Sequence, residues 1–172
     1  LGPKGIKIIK DIKPDIIFSI YYRKILPIEV LKIPSIGSFN IHPSLLPFYK
    51  GSVPTAWAIL NNENSFGITI HKISKNLDSG DILVQKKFKI KNNETGYELH
   101  NRAMKLGLDM LKKNFNNIVN NKLKLSKQKK LGSYYGKLPK FNKIDWSSSS
   151  IDIYNKFRVY AYPFRGSYSI IK

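Results

Sequence analysis

The chain has 172 residues, of which 42% are hydrophobic and 12% aromatic, a composition that excludes a wholly disordered chain and fits one globular domain with at most a small appendage. It has no cysteine, which excludes disulfides and thiolate metal sites and points to a reducing, cytoplasmic compartment. Thirty basic residues against eleven acidic ones give a formal charge of +19, but no apolar run approaches the ~20 residues that span a bilayer, so membrane partners are not expected.

The opening Leu1-Gly-Pro-Lys-Gly is neither a methionine start nor a signal peptide and reads as the cut edge of a longer chain. Residues 6–13 read as the end of a helix closed by Pro14. Residues 15–20 form a short apolar run between turn residues, the pattern of a buried parallel strand. A polar and aromatic loop follows at 21–24, then a short helix at 27–31 with proline in its first turn. Gly37 precedes a second strand at 38–42. Residues 53–60 predict a helix opened by Pro54. Residues 66–73 alternate and are β-branched, so they predict a strand. Residues 81–90 predict another, and the Asp78-Ser79-Gly80 turn makes the two an antiparallel hairpin.

At Thr95 the period changes. Thr95 and Glu98 have capping-box spacing, and Leu99, Ala103, Leu106 and Met110 then mark an amphipathic helix to about Val119. His100 reads as a surface or boundary residue of that helix. Residues 120–130 are lysine-rich and polar, a linker or solvated strand edge. Residues 133–146 are a Gly/Pro/Tyr segment, and the serines at 147–150 cap a last helix at 151–160.

The stretch with the most chemistry is Asn40-Ile-His-Pro-Ser-Leu-Leu-Pro. In a strand, residues two apart share a face, so Asn40 and His42 can aim at one reacting atom while Ile41 packs the other way. Pro43 and Pro47 end the strand there. By itself the pair is equally compatible with a satisfied structural histidine. Asp78 is placed to reach toward His42, but Asp-Ser-Gly also suits a plain Asx-turn. The three histidines are too far apart in sequence for a local metal motif, and no metal is expected.

Six segments settle these alternatives together: SIYYRKILP, GSFNIHPSLLP, the FYKG after it, PTAWAI, GITIHKI and LDSGD. In this order, from Ser19 to Gly80, they resemble the formyltransferases that use 10-formyltetrahydrofolate. The resemblance implies an α/β fold. Residues 1–128 would be the C-terminal portion of a Rossmann-like formyltransferase domain, a mixed and mostly parallel sheet with helices. Residues 129–172 would be a linker and the beginning of a small β-rich C-terminal domain. The preceding βαβ region of the family is lacking, so the chain reads as a fragment whose strands at 16–20 and 38–41 would miss neighbours.

The resemblance also implies a catalytic trio. Asn40 would donate to the formyl oxygen as charge develops there, His42 would help move a proton, and Asp78 would favour the imidazolium and accept the proton lost by the attacking amine. The formyl donor, 10-formyltetrahydrofolate, would lie against Tyr22, Arg23, Ile25, Leu26, Asn76 and Leu77. His71 would be auxiliary or simply a strand histidine, and Ser44, Gly51 and Pro54 would shape the loop. For the acceptor, YYGKLPKFNKIDW and FRVYAYPF resemble the enzymes that formylate amino-deoxysugars carried on UDP or dTDP. Methionyl-tRNA formyltransferase is the alternative, with tRNA as partner, and glycinamide ribonucleotide transformylase is third. A non-enzymatic reading, a basic nucleic-acid-binding module with stacking tyrosines, would not require the trio. It also suffers from having only four arginines, Arg23, Arg102, Arg158 and Arg165, among its cations.

Overall fold

The computed structural model describes residues 1–20, 22, 24–129, 131–139 and 142–170. Its elements in chain order are α1 (Pro3–Ile12), β1 (Ile16–Ser19), α2 (Ile28–Leu31), β2 (Gly37–His42), β3 (Lys50–Gly51), α3 (Pro54–Leu60), β4 (Ser65–Lys72), β5 (Ile82–Lys89), α4 (Gly96–Val119), β6 (Tyr134–Tyr135) and α5 (Ser150–Tyr160). The main sheet is mixed, in the order β1-β2-β4-β5.

Among the described strands of this sheet, β1–β2 is the parallel pair, while β2–β4 and β4–β5 are antiparallel. The sheet is mixed, as expected, and the β4–β5 pair is the hairpin predicted around Asp78–Gly80; the antiparallel β2–β4 pair lowers the parallel share among the described strands. The expectation that residues 38–41 would lack neighbours is also corrected. Among the described residues β2 pairs on both sides, with β1 and β4, and β1 and β5 are the two edges of the sheet.

Alternation along β2 and β4 sorts the side chains into two faces. Phe39, Ile41, Ile68 and Ile70 turn inward against Ala103, Met110, Leu111 and Ile118 of α4, and all eight are buried. Gly107 lets this helix sit close: a Cβ there would lie 2.6 Å from the Ile41 side chain. The opposite face carries Asn40 and His42 of β2 beside Thr69 and His71 of β4, with Asn40 opposite His71 and His42 opposite Thr69. The core therefore fixes the direction of the polar face.

The start of α4 has the full capping box. The Thr95 hydroxyl accepts from the Glu98 amide at 3.2 Å, and the Glu98 carboxylate accepts from the Thr95 amide at 2.9 Å. Just before it, Glu94 is buried and accepts from Arg102 Nε and Nη2, both at 2.6 Å. Arg158 of α5 donates to the Glu94 and Lys91 carbonyls, so α5 is tied to the same corner. A second apolar cluster, including Ile59, Phe66, Leu99 and Val159, lies beneath α5. Within the polar segment after α4, Ser126 bridges antiparallel to Ile82 at the edge of the sheet. Among the described residues no helix is long and apolar enough to cross a membrane.

Candidate active site

The polar face of β2 and β4 forms the floor of a cleft of about 360 Å³. One wall is the loop before Asp78, another is the segment around Ile25, and His100 and Met104 of α4 complete it. Asn40, His42, His71 and Asp78 all line it. The last three are nearly buried, at 5%, 2% and 9% exposure, which makes their hydrogen-bond partners decisive.

Those partners fix the tautomers. Asn40 Nδ2 lies 3.3 Å from His71 Nε2. An amide nitrogen can only donate, so Nε2 accepts and the His71 proton sits on Nδ1, which donates to the Lys72 carbonyl at 2.7 Å. Burial pushes the His71 pKa from 6.5 down to about 4, with the Asp78 charge pulling the other way. His71 is therefore neutral at neutral pH and holds one hydrogen of the Asn40 amide. The second amide hydrogen of Asn40 is left for the cleft.

His42 Nε2 donates to the Tyr49 carbonyl at 2.9 Å. Its Nδ1 then carries the lone pair in the neutral ring, and it points toward Asp78 Oδ2 at 3.7 Å. That is too long for a direct hydrogen bond, and it leaves the carboxylate facing that nitrogen. Asp78 Oδ2 accepts from the Gly51 amide at 2.9 Å, and Oδ1 lies 3.8 Å from His71 Nε2. Asp78 is in the left-handed conformation, with φ of 47°. Gly80 makes the turn possible, since a Cβ there would fall 1.8 Å from the Lys72 carbonyl oxygen.

The structure thus brings together the three residues singled out as a trio and adds His71 to them. Of the residues assigned to the folate, Tyr22, Ile25, Leu26, Asn76 and Leu77 line the cleft. Arg23 lies outside the described residues. Ile25 and Leu77 are 75% and 47% exposed, so the cleft has uncovered apolar walls that a flat ring would cover. Ser44 is buried and donates to the Phe48 carbonyl at 2.7 Å, a contact that shapes the loop rather than the cleft. Among the described residues no group of three or more His, Cys, Asp or Glu is arranged to hold a metal ion.

Sequence reasoning missed several contributors. The Tyr49 carbonyl and the Gly51 amide act through backbone, which no side-chain motif reports. His100 and Met104 are one helical turn apart, and that spacing was the signal that both could face the cleft. Burial lowers the His100 pKa.

Residues 3–114 match the family described as Formyl transferase. The chain is 40% identical over 170 residues to the bifunctional polymyxin resistance protein ArnA of Wigglesworthia glossinidia brevipalpis, covering 98% of this chain and 26% of that protein. It is 40% identical over 154 residues to the methionyl-tRNA formyltransferase of Clostridium tetani, covering 88% of this chain and 50% of the relative. The chain therefore spans half or less of these curated relatives. The solved structure of WlaRD, a sugar 3N-formyl transferase in the presence of dTDP and 5-N-formyl-THF, superposes with a TM-score of 0.75 at 37% identity, over 83% of this chain and 53% of that one.

Proposed function

We propose, from the premise that this chain belongs to the formyl transferase family, that its cleft transfers a formyl group from 10-formyltetrahydrofolate to a primary amine. The observation that carries the reading is the arrangement at the cleft floor. One hydrogen of the Asn40 amide is committed to neutral His71 and one is free, while the His42 Nδ1 lone pair faces a buried carboxylate. The apolar faces of Ile25 and Leu77, with Tyr22, Leu26 and Asn76, would hold the folate ring. Its chemical contribution is an activated formyl carbon.

The residues then have distinct tasks. Asn40 aims its free Nδ2 hydrogen at the formyl oxygen, where negative charge grows as the amine attacks. Because His71 has fixed the amide plane beforehand, that donor needs no reorganisation. His42 Nδ1 takes the proton the amine loses, directly or through water, and would return it to the folate nitrogen as the bond between that nitrogen and the formyl carbon breaks and tetrahydrofolate leaves. The resulting imidazolium keeps its Nε2 bond to the Tyr49 carbonyl and gains Asp78 as counter-ion. In this account His71 is a positioning residue, acting through Asn40.

For the acceptor we favour an amino-deoxysugar carried on a nucleotide. The 37% identity to a sugar 3N-formyl transferase and the aromatic C-terminal runs support this. The 40% identity to a methionyl-tRNA formyltransferase supports charged initiator tRNA as the second reading, to which the +19 charge would be suited. We divide the chain into a catalytic portion at 1–128 and, at 129–172, a linker with the beginning of a C-terminal domain. The test is a formylation assay of the whole protein, offering a nucleotide-linked amino sugar and charged initiator tRNA in parallel with 10-formyltetrahydrofolate. Formylation of the sugar is the predicted result. Formylation of tRNA alone would overturn the preferred acceptor, and formylation of neither of them, nor of glycinamide ribonucleotide, would overturn formyl transfer.

A further inference from the structure

The turn that carries Asp78 is bonded to a segment far away in sequence. After α4 the chain returns across the mouth of the β4–β5 hairpin as a strap. Ser126 exchanges backbone hydrogen bonds with Ile82 at 2.8 and 2.9 Å, and Lys127 pairs with Asp81 at 2.9 Å. Farther along, the Ser133 hydroxyl accepts from the Tyr49 amide at 2.9 Å, and β6 pairs in parallel with β3. Through its backbone pairings at Ser126 and β6 the strap therefore grips both pieces that hold the site, the Asp78 turn and the Tyr49–Gly51 segment that bonds His42 and Asp78, while the exposed Lys127 side chain adds only a surface ion pair.

Between these two grips lies Gln128. Its Nε2 donates to the Asp78 carbonyl at 2.9 Å and to the Gly80 carbonyl at 2.8 Å. A primary amide nitrogen has two hydrogens at a fixed angle, so one neutral side chain can satisfy both carbonyls. This matters because the turn is left-handed at Asp78 and brings those two oxygens to the same side. Gln128 Oε1 is buried and has no hydrogen-bond partner among the described residues. The geometry of the donor end, rather than satisfaction of the whole side chain, is what the placement achieves.

We propose that Gln128 is a positioning residue that fixes the Asp78 carboxylate by clamping the two carbonyls of its turn. The proposal rests on the formyl-transfer reading for its kinetic consequence, but not for its structural one. With the clamp removed, the turn is free to rotate about Asp78, and Oδ2 leaves its place near His42 Nδ1. Folate contacts from Asn76 and Leu77 precede the clamped residues and change less.

The experiment compares the whole protein with Gln128→Met, which keeps the length but has no donor, and with Lys127→Met, which removes only the neighbouring ion pair. Gln128→Met is predicted to lose at least tenfold in kcat, with the KM for 10-formyltetrahydrofolate changed less than threefold. Lys127→Met is predicted to keep wild-type kcat. Gln128→Asn retains the amide but draws it back by one methylene, and is predicted to fall between them; it carries the test if the methionine variant does not fold. A second readout needs no substrate. Because the Asp78 charge raises the His71 titration, that imidazole should titrate lower in the Gln128 variants by NMR. An unchanged His71 titration, or equal kcat losses in the Gln128 and Lys127 variants, would overturn the proposal. If the wild-type protein formylates no amine, the functional reading fails, while the His71 titration still decides the clamp.

Discussion

Acidification should destabilise this protein through one identifiable residue. His71 has its pKa lowered from 6.5 to about 4, chiefly by burial. In the unfolded chain the ring takes up its proton near pH 6.5, whereas the folded protein resists until about 4. The unfolded state thus binds more protons across this window, and stability rises with pH through it. The contribution is complete above pH 6.5 and lost as the pH falls toward about 4. At about 1.4 kcal/mol per pH unit, the gap amounts to on the order of 3 kcal/mol. The assay is urea unfolding of the wild type and of His71→Gln at intervals from neutral pH to pH 4. His71→Gln will shift the whole curve by losing the Lys72 and Asn40 contacts, so the slope carries the information. The wild-type advantage should shrink by on the order of 3 kcal/mol over the window. Parallel curves would refute a buried, neutral His71.

Two further substitutions probe the frame around the site. Arg102→Met leaves the Glu94 carboxylate, 5% exposed, without its cation and should cost about 3 kcal/mol in urea unfolding, more than Glu94→Gln, which keeps an acceptor for the guanidinium. A smaller loss for Arg102→Met than for Glu94→Gln would contradict that ordering. Gly80→Ala places a Cβ 1.8 Å from the Lys72 carbonyl oxygen, so the Asp78 turn must move. Both the thermal midpoint and the formylation rate should drop, and retention of both would show that the turn is not held as described.

The sequence made the elements legible where one periodicity dominated. The alternating, β-branched run at 66–73 and the strand expected at 81–90 became β4 and β5, and Thr95 with Glu98 closed a capping box at the start of α4. Asn40 and His42 were readable as a pair because two-residue spacing on a strand leaves only one geometry. The share of parallel pairing was readable only in part: the apolar run Ile16–Ser19 was expected to pair in parallel and does, but nothing in residues 38–42 and 66–73 reveals that β2 and β4 run antiparallel. The two-residue strands β3 and β6 were also invisible: Lys50–Gly51 and Tyr134–Tyr135 are too short to show a period. His71 looked like a strand histidine with an even claim on the site until its register placed it directly opposite Asn40. Gln128 gave no signal at all, because its role depends on carbonyls fifty residues earlier in the chain.

The most direct test of formyl transfer at this cleft is the rate of tetrahydrofolate release by the whole protein with His42→Ala, measured beside folate binding. His42 is the proposed proton acceptor, so its loss should cut kcat by roughly 10² to 10⁴-fold. Affinity for 10-formyltetrahydrofolate should stay within a few-fold, because the cleft walls at Ile25 and Leu77 are untouched. Wild-type turnover in His42→Ala would contradict the account.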